Sequence, residues 1–79
     1  MTREDFRVHL AEFLMVDFAE VKDEANLIEL GWDSLGLLSV ISLAEETWGI
    51  EVGEGQLNRC VLVKDMLEFF DAYWAGASA

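Results

Sequence analysis

Proline is absent from the 79 residues, cysteine and histidine occur once each, and only five side chains are Lys or Arg. A lone cysteine, Cys60, excludes a disulfide within the chain. Cys60 and His9 together cannot supply the four nitrogen or sulfur ligands of a structural zinc, so no metal site is expected. A reduced, cytoplasmic setting is the simplest reading of that cysteine count. Against the five basic residues stand sixteen Asp and Glu, a net charge of −11. A surface so acidic repels phosphate backbones and anionic headgroups, so neither nucleic acid nor membrane is an expected partner. The charge by itself serves the solubility of a small monomer. A protein partner with a basic patch would be steered toward it.

Length sets the next limits. Seventy-nine residues make one domain with one small core. No room remains for a pocket-forming scaffold plus a catalytic constellation, and no catalytic residue is assigned. A hydrophobic content of 53% is too high for a disordered acidic tail, so the chain folds. Nothing is repeated or low in complexity. The opening Met1-Thr2-Arg3-Glu4-Asp5 places acids where a secretory signal would turn apolar. The most apolar segment, Leu35 to Ala44, is interrupted by Gly36, Ser39 and Ser42 and is far shorter than the ~20 residues of a membrane span.

The periodic segments are helical. The first runs from about Thr2 to Met15, with Thr2 as N-cap and Asp5 three residues on. Phe6, Leu10, Phe13 and Leu14 form its core stripe, which leaves His9 and Glu12 on the outside. From Asp17 to Asp33 the apolar residues Phe18, Val21, Leu27, Ile28 and Leu30 follow no period. That reads as a long loop packed by its own side chains, with one short helical turn. A second helix spans Ser34 to Trp48 and stops at Gly49. One short turn is expected around Gln56 to Arg59. A last helix runs from Val63 to Tyr73, with Val63, Met66, Leu67, Phe70 and Trp74 on its buried face. Gly76 to Ala79 reads as a frayed tail. The fold expected is all-α: a small antiparallel four-helix bundle, three main helices plus one short one, with a long first loop.

The second helix carries the functional signal. At about 100° per residue, Leu37, Val40, Ile41, Ala44 and Trp48 share one arc, and Ser39, Ser42 and Glu46 lie opposite. Leu35 falls within the polar side and Leu38 at its edge. Either the long loop covers these two leucines, or they form an exposed patch that docks a partner. Ser34 stands at the helix start, where backbone N–H groups are unpaired and the dipole is positive. An anion attached to its hydroxyl would be stabilised there. Serine at such a position also serves as a simple N-cap, but Asp33 is an equally good cap, so one residue can cap while the other is modified.

The run Leu30-Gly31-Trp32-Asp33-Ser34-Leu35 resembles the attachment motif of the acyl carrier proteins, in which the serine of a Gly-x-Asp-Ser-Leu signature carries 4′-phosphopantetheine. The resemblance extends from about Phe6 to Phe70. It takes in Leu27 and Leu30 of the loop, Glu45 to Val52 around the end of the second helix, and Val63, Asp65 and Leu67 in the last helix. It implies a carrier domain over residues 1–76 with residues 77–79 as a tail. It departs from the usual fatty-acid carriers in several places. Trp32 stands where a small residue is common, Gly36 where an acid or polar residue is common, and Ser39 where an acid is common. Leu62 replaces a capping Ser or Thr, and Gly53 and Gly55 loosen a linker often stiffened by proline. These departures point to polyketide, mixed peptide–polyketide or another specialised acyl pathway beside fatty-acid synthesis. Asp33 before the serine resembles acyl carriers more than peptidyl carriers of nonribosomal pathways. Met1 and the short tail suit a free-standing chain.

By that resemblance the protein is a tether and catalyses nothing. A phosphopantetheinyl transferase with Mg²⁺ and coenzyme A would modify Ser34, whose Oγ attacks the β-phosphorus and expels 3′,5′-ADP. The arm's thiol would carry acyl groups as thioesters to an acyl-loading enzyme, ketosynthase or acyltransferase with a basic docking patch. Asp33, Leu35 and Leu38, with Glu45 and Glu46 lower on the helix, are the implied docking residues. In relatives the acyl chain can slip between helices. Ala44, Cys60 and Met66 would line such a path, whereas Trp48, Phe69, Phe70 and Trp74 would fill it.

Other readings account for less. A hydrolase elbow needs glycine two before and two after the serine, and Trp32 occupies the first of these positions. A calcium loop starting at Asp23 meets Ala25 and Leu27 where ligands are required. An unmodified acidic adaptor, with Ser34 merely a helix-start residue, keeps both the fold and the charge and is separated from a carrier by the mass of the protein.

Overall fold

Thr2 and Asp5 cap each other at the start of the chain. Thr2 Oγ1 accepts the Asp5 N–H and Asp5 Oδ2 accepts the Thr2 N–H, each at 3.1 Å. They open α1, Arg3–Leu14, in a computed structural model that describes residues 1–74. Phe6, Leu10, Ala11 and Leu14 are buried. Phe13, expected in the core stripe, is only half-buried, and small Ala11 is buried in its place. The core face is therefore rotated toward Ala11, and Phe13 is left at its margin. His9, expected on the outside, is half-buried and lies 6.2 Å from the Phe13 ring, centroid to centroid.

The long loop contains the one short turn expected of it, a 3₁₀ turn at Phe18–Glu20. Its aperiodic apolar residues have separate fates. Val21 and Leu27 are buried, Leu30 is half-buried, and Phe18 and Ile28 stay exposed. What holds the loop is backbone pairing across the chain. Leu27 N–H donates to Val61 O at 2.9 Å, and Asn26 forms an isolated antiparallel bridge with Leu62. Ala25 O and Asp23 O accept the Val63 and Lys64 N–H groups, each at 3.0 Å. Asp23 also pairs with Arg7 of α1.

Those two carbonyls satisfy amides that would otherwise be orphaned at the start of α4, Val63–Phe69. Leu62 at the N-cap has no acceptor side chain. Asp65 does the work from inside the helix: its Oδ2 accepts the Val61 and Leu62 N–H groups at 3.1 and 3.0 Å. The Lys64 and Asp65 amides that a serine or threonine at position 62 would cap are bonded instead to Asp23 O and Leu62 O, each at 3.0 Å.

α2 spans Ser34–Trp48 and ends at Gly49, whose left-handed φ of 67° closes the helix as expected. The short helix α3 is Glu54–Leu57, two residues earlier than expected, because Gln56 Oε1 accepts the Gly53 N–H at 3.0 Å and starts the turn there. The last helix was expected to reach Tyr73. It ends at Phe69 and tightens into a 3₁₀ turn at Asp71–Tyr73, with Trp74 Nε1 donating to Leu67 O at 2.9 Å. All five residues of its expected stripe are buried. Phe6 packs against Phe70 and Trp74, with centroids 5.7 and 5.3 Å apart, and Trp48 packs against Phe70 at 5.1 Å. Each such pair contributes about 0.5–1.5 kcal/mol beyond its buried area. The fold is the all-α bundle expected. The tail from Gly76 and the domain limit at residue 76 lie outside the described residues.

Candidate functional site

The end of the long loop delivers α2. Gly31 turns the chain with φ +100°, a conformation that favours glycine. Trp32 N–H then bonds back to Leu27 O at 2.9 Å, and the Trp32 indole is buried against Gly36. Asp33 follows in extended backbone. Its Oδ1 accepts the Leu35 and Gly36 N–H groups at 3.0 and 3.2 Å, and its carbonyl accepts the Leu37 N–H at 3.0 Å. Asp33 is thus the N-cap, and Ser34 is the first helical residue, exposed and relieved of capping.

This arrangement refines the expectation that helix amides welcome an anion on Ser34. Two of those amides already serve Asp33, so an attached phosphodiester would rely on the remaining dipole and on solvent. The position still fits such a group: Ser34 is exposed at the start of a 15-residue helix whose cap is supplied by Asp33.

Leu35 and Leu38 are 70% and 51% exposed, which decides between the two readings of the pair: the loop does not cover them. Ser39 does not extend the exposed polar surface, because its Oγ donates to Leu35 O at 2.9 Å. Asp33, Ser34, Leu35 and Leu38 therefore gather within one turn of the α2 start. Glu45 and Glu46 are exposed but stand eleven and twelve residues along, about 16–18 Å away at the helical rise. The implied docking residues are two clusters on one helix, an apolar one at the serine and an acidic one at the far end.

Most of the residues named for a path between helices belong to one core or pack against it. Ala44 and Met66 are buried and Cys60 is half-buried, but Phe70 and Trp74 occupy the interior beside them. Phe69 lies partly outside, and Trp48 is half-buried. Among the described residues no group of His, Cys, Asp and Glu is placed to hold a metal ion, and no helix is long and apolar enough to cross a membrane. An open groove of about 440 Å³ between α1 and α2, where His9 and Phe13 face Leu38 and Ser42, was not expected from the sequence. Its only signal was the i, i+4 spacing of His9 and Phe13, which by itself resembles any outer helix edge.

A small helical bundle with an exposed serine at the start of its second long helix fits the class of phosphopantetheine-bearing carriers. The family described as "Phosphopantetheine attachment site" matches residues 4–70. The chain is 36% identical over 69 residues to an acyl carrier protein of Helicobacter pylori (strain G27), covering 86% of this chain and 88% of that protein. It is 31% identical over 71 residues to one of Campylobacter jejuni (strain RM1221), covering 89% and 92%. It is 39% identical over 57 residues to one of Nitratidesulfovibrio vulgaris (strain DP4), covering 71% and 75%. The chain belongs to the acyl carrier protein family. It is a carrier that bears phosphopantetheine and not an enzyme. Members of the family are modified by a phosphopantetheinyl transferase and serve biosynthetic enzymes.

Proposed function

We propose that Ser34 carries the 4′-phosphopantetheine arm, and that Asp33, Leu35 and Leu38, aided by Glu45 and Glu46, form the surface that partner enzymes meet. The observation that carries the assignment is the division of labour at the helix start: Asp33 holds the Leu35 and Gly36 amides, and Ser34 is left exposed beside it. In the loading step, Ser34 Oγ forms a bond to the β-phosphorus of coenzyme A as the bond to 3′,5′-ADP breaks. The hydroxyl proton passes to a base of the transferase, which also supplies Mg²⁺. The arm, once bound, contributes a terminal thiol that holds acyl groups as reactive thioesters.

The chain's own residues set how the carrier is used. Ser34 fixes the tether at a rigid point, so each visited active site sees cargo at a high effective concentration, roughly millimolar for a short flexible link. Leu35 and Leu38 offer a small apolar contact, and the acids steer encounter, which suits fast arrival and easy release. The first turn of α2 carries no acid, and Gly36 and Ser39 are uncharged. That apolar character favours a dedicated carrier of a polyketide or other specialised acyl pathway, whose partners set a shallow apolar cleft beside the basic patch that Asp33, Glu45 and Glu46 would meet.

The test is intact mass. Coenzyme A, Mg²⁺ and a broad-specificity transferase should add one phosphopantetheine to the protein and none to Ser34→Ala. Equal gain by both would place the arm elsewhere. Asp33→Lys and Leu35→Ala should each slow loading roughly tenfold while the bundle stays folded. Unchanged rates in both variants would remove this docking surface. Acyl groups released from the thiol of protein isolated from its own cells would identify the pathway, and ordinary fatty acyl chains alone would reject the specialised assignment.

A further inference from the structure

Met15 ends α1 in a conformation unfavourable on two counts. Its backbone is left-handed, with φ 58° and ψ 43°, and it is the one non-glycine residue at positive φ among the described residues. A Cβ in that region crowds the following carbonyl, so glycine or asparagine is the usual occupant of a helix end of this kind. The side chain recovers nothing by packing, because Met15 is 91% exposed, more than any other large apolar residue described. Phe18, three residues on, is 45% exposed at the start of the 3₁₀ turn. Glu12, Asp17 and Glu20 are exposed along the same stretch, and no Lys or Arg occurs from Val8 to Val21.

We propose that Met15 and Phe18 form a second docking patch, met by the transferase that loads Ser34. The proposal rests on the assignment of Ser34 as the attachment residue. The patch lies at the same end of the molecule. Leu14, the neighbour of Met15 in the chain, reaches the first turn of α2: its Cδ2 is 3.6 Å from where a Cβ on Gly36 would lie, two residues past Ser34. α1 therefore finishes where α2 begins. The transferase is the partner whose grip must come wholly from the polypeptide, since the arm is not yet present to be held. The chemistry on its side follows from what accompanies Met15: an apolar cleft for the thioether and the phenyl ring, rimmed by Lys or Arg for Glu12, Asp17 and Glu20. Methionine suits such a contact, being unbranched, polarisable and able to follow the shape of a cleft.

Other accounts of the patch fit less well. A second copy of this chain would bring the same acids to it, with a net charge of −11 on each molecule, and is disfavoured by repulsion. Ile28 and Val61 are also exposed, but in ordinary backbone, and scattered apolar residues of that kind are normal on a protein surface. Only at Met15 do a strained backbone and an unpacked apolar side chain coincide, a local conflict of the kind that marks functional positions. Leu35 and Leu38 on α2 and Met15 at the end of α1 give a partner grips on two helices, and two grips orient the hydroxyl between them better than one.

The experiment follows loading by a transferase from the same organism, with coenzyme A and Mg²⁺, by intact mass over a range of carrier concentrations. Met15→Asn and Met15→Gly both accept the left-handed backbone and remove the apolar contact. Each should hold or raise the melting temperature, yet raise KM for the carrier about tenfold with kcat unchanged, as for the loss of roughly half of a buried apolar side chain. Met15→Leu keeps the contact and should load with the KM of the parent. A merely structural role would leave KM alone in all three. Parental KM in both Met15→Asn and Met15→Gly overturns the patch and leaves the attachment residue intact. A parent that sediments as a dimer, with Met15→Asn a monomer, gives the patch to a second copy and overturns the proposal too. Protein that gains no arm at Ser34 overturns both readings.

Discussion

Trp32 packs its indole against Gly36 so closely that a Cβ on Gly36 would lie 3.3 Å from Trp32 Cε3 and 3.6 Å from Leu14 Cδ2. The bare backbone at position 36 thus lets the loop's last large residue close over the start of α2. Among the described residues, the same indole has a buried Nε1 with no hydrogen-bond partner, so the ring is held there by packing alone.

Substitution of Gly36 tests that fit. In an open helix, Gly→Ala gains about 1 kcal/mol. At Gly36 the added methyl must displace a buried ring, and crowding of this kind typically costs about 1–3 kcal/mol. Gly36→Ala should therefore give no gain in stability by denaturant unfolding. Gly55→Ala in α3, where nothing lies within 4 Å, should give most of the expected gain. In a Trp32→Leu background the Gly36→Ala gain should return, a coupling of at least about 0.5 kcal/mol. Equal stabilisation by the two alanines with Trp32 present would disprove the contact.

The cap and the attachment residue separate by measurement. Asp33→Ala leaves the Leu35 and Gly36 amides without their acceptor and should lower stability by about 1 kcal/mol. Asp33→Asn keeps an acceptor and should restore most of that loss, while its missing charge still slows modification. Ser34→Ala should leave the melting temperature unchanged and abolish loading. A large stability loss in Ser34→Ala would mean that the serine, and not the aspartate, holds the helix start.

How far these features were legible in the sequence depends on whether their causes are local. The Thr2–Asp5 cap, the Gly49 stop and the stripe from Val63 to Trp74 follow from residues within a turn or two of one another, and all stand where the sequence placed them; between Asp33 and Ser34 the sequence left the cap open, and the structure gives it to Asp33. The loop does not. Leu27 is buried and Ile28 exposed because Leu27 N–H pairs with Val61 O, a partner 34 positions away that leaves no periodic trace. The exchange of Phe13 for Ala11 in the core has the same origin: the face of α1 that is buried is set by its neighbours. The groove at His9 leaves no periodic mark either, since it exists only once α1 and α2 lie side by side.

Two capping carboxylates contribute to the acid sensitivity of the fold. Asp5 is held below its ordinary 3.8 by the Thr2 N–H and then the Thr2 hydroxyl, and Asp65 by the Leu62 and then the Val61 N–H. In the unfolded chain both return to the ordinary value, so the folded state binds fewer protons in this range. The stabilisation they lend is complete above about pH 4 and is lost as the pH falls through their lowered folded values. Their contribution to the melting temperature should fall over that acid window. Asp65→Asn should melt lower at neutral pH and show a shallower drop in acid. An acid limb as steep as that of the parent would show that Asp65 is not among its causes.

Cys60 is the one thiol of the polypeptide, and its setting keeps it from competing with the arm. Burial first, and the Asp65 carboxylate second, push its pKa above the ordinary 9.0. Because the thiolate is the nucleophile, Cys60 should be a poor one near neutral pH, whereas the thiol of an arm attached at exposed Ser34 lies outside the core that raises the Cys60 pKa and should react faster. With limiting iodoacetamide on loaded protein, peptide mass should place the label on the arm at least roughly tenfold faster than on Cys60. Asp65→Asn should quicken Cys60 only modestly, since burial is the larger cause, and denaturant should bring its rate up to that of the arm. Comparable labelling of both thiols in the folded protein would show Cys60 to be open to acyl groups, so that cargo could stray onto the bundle itself.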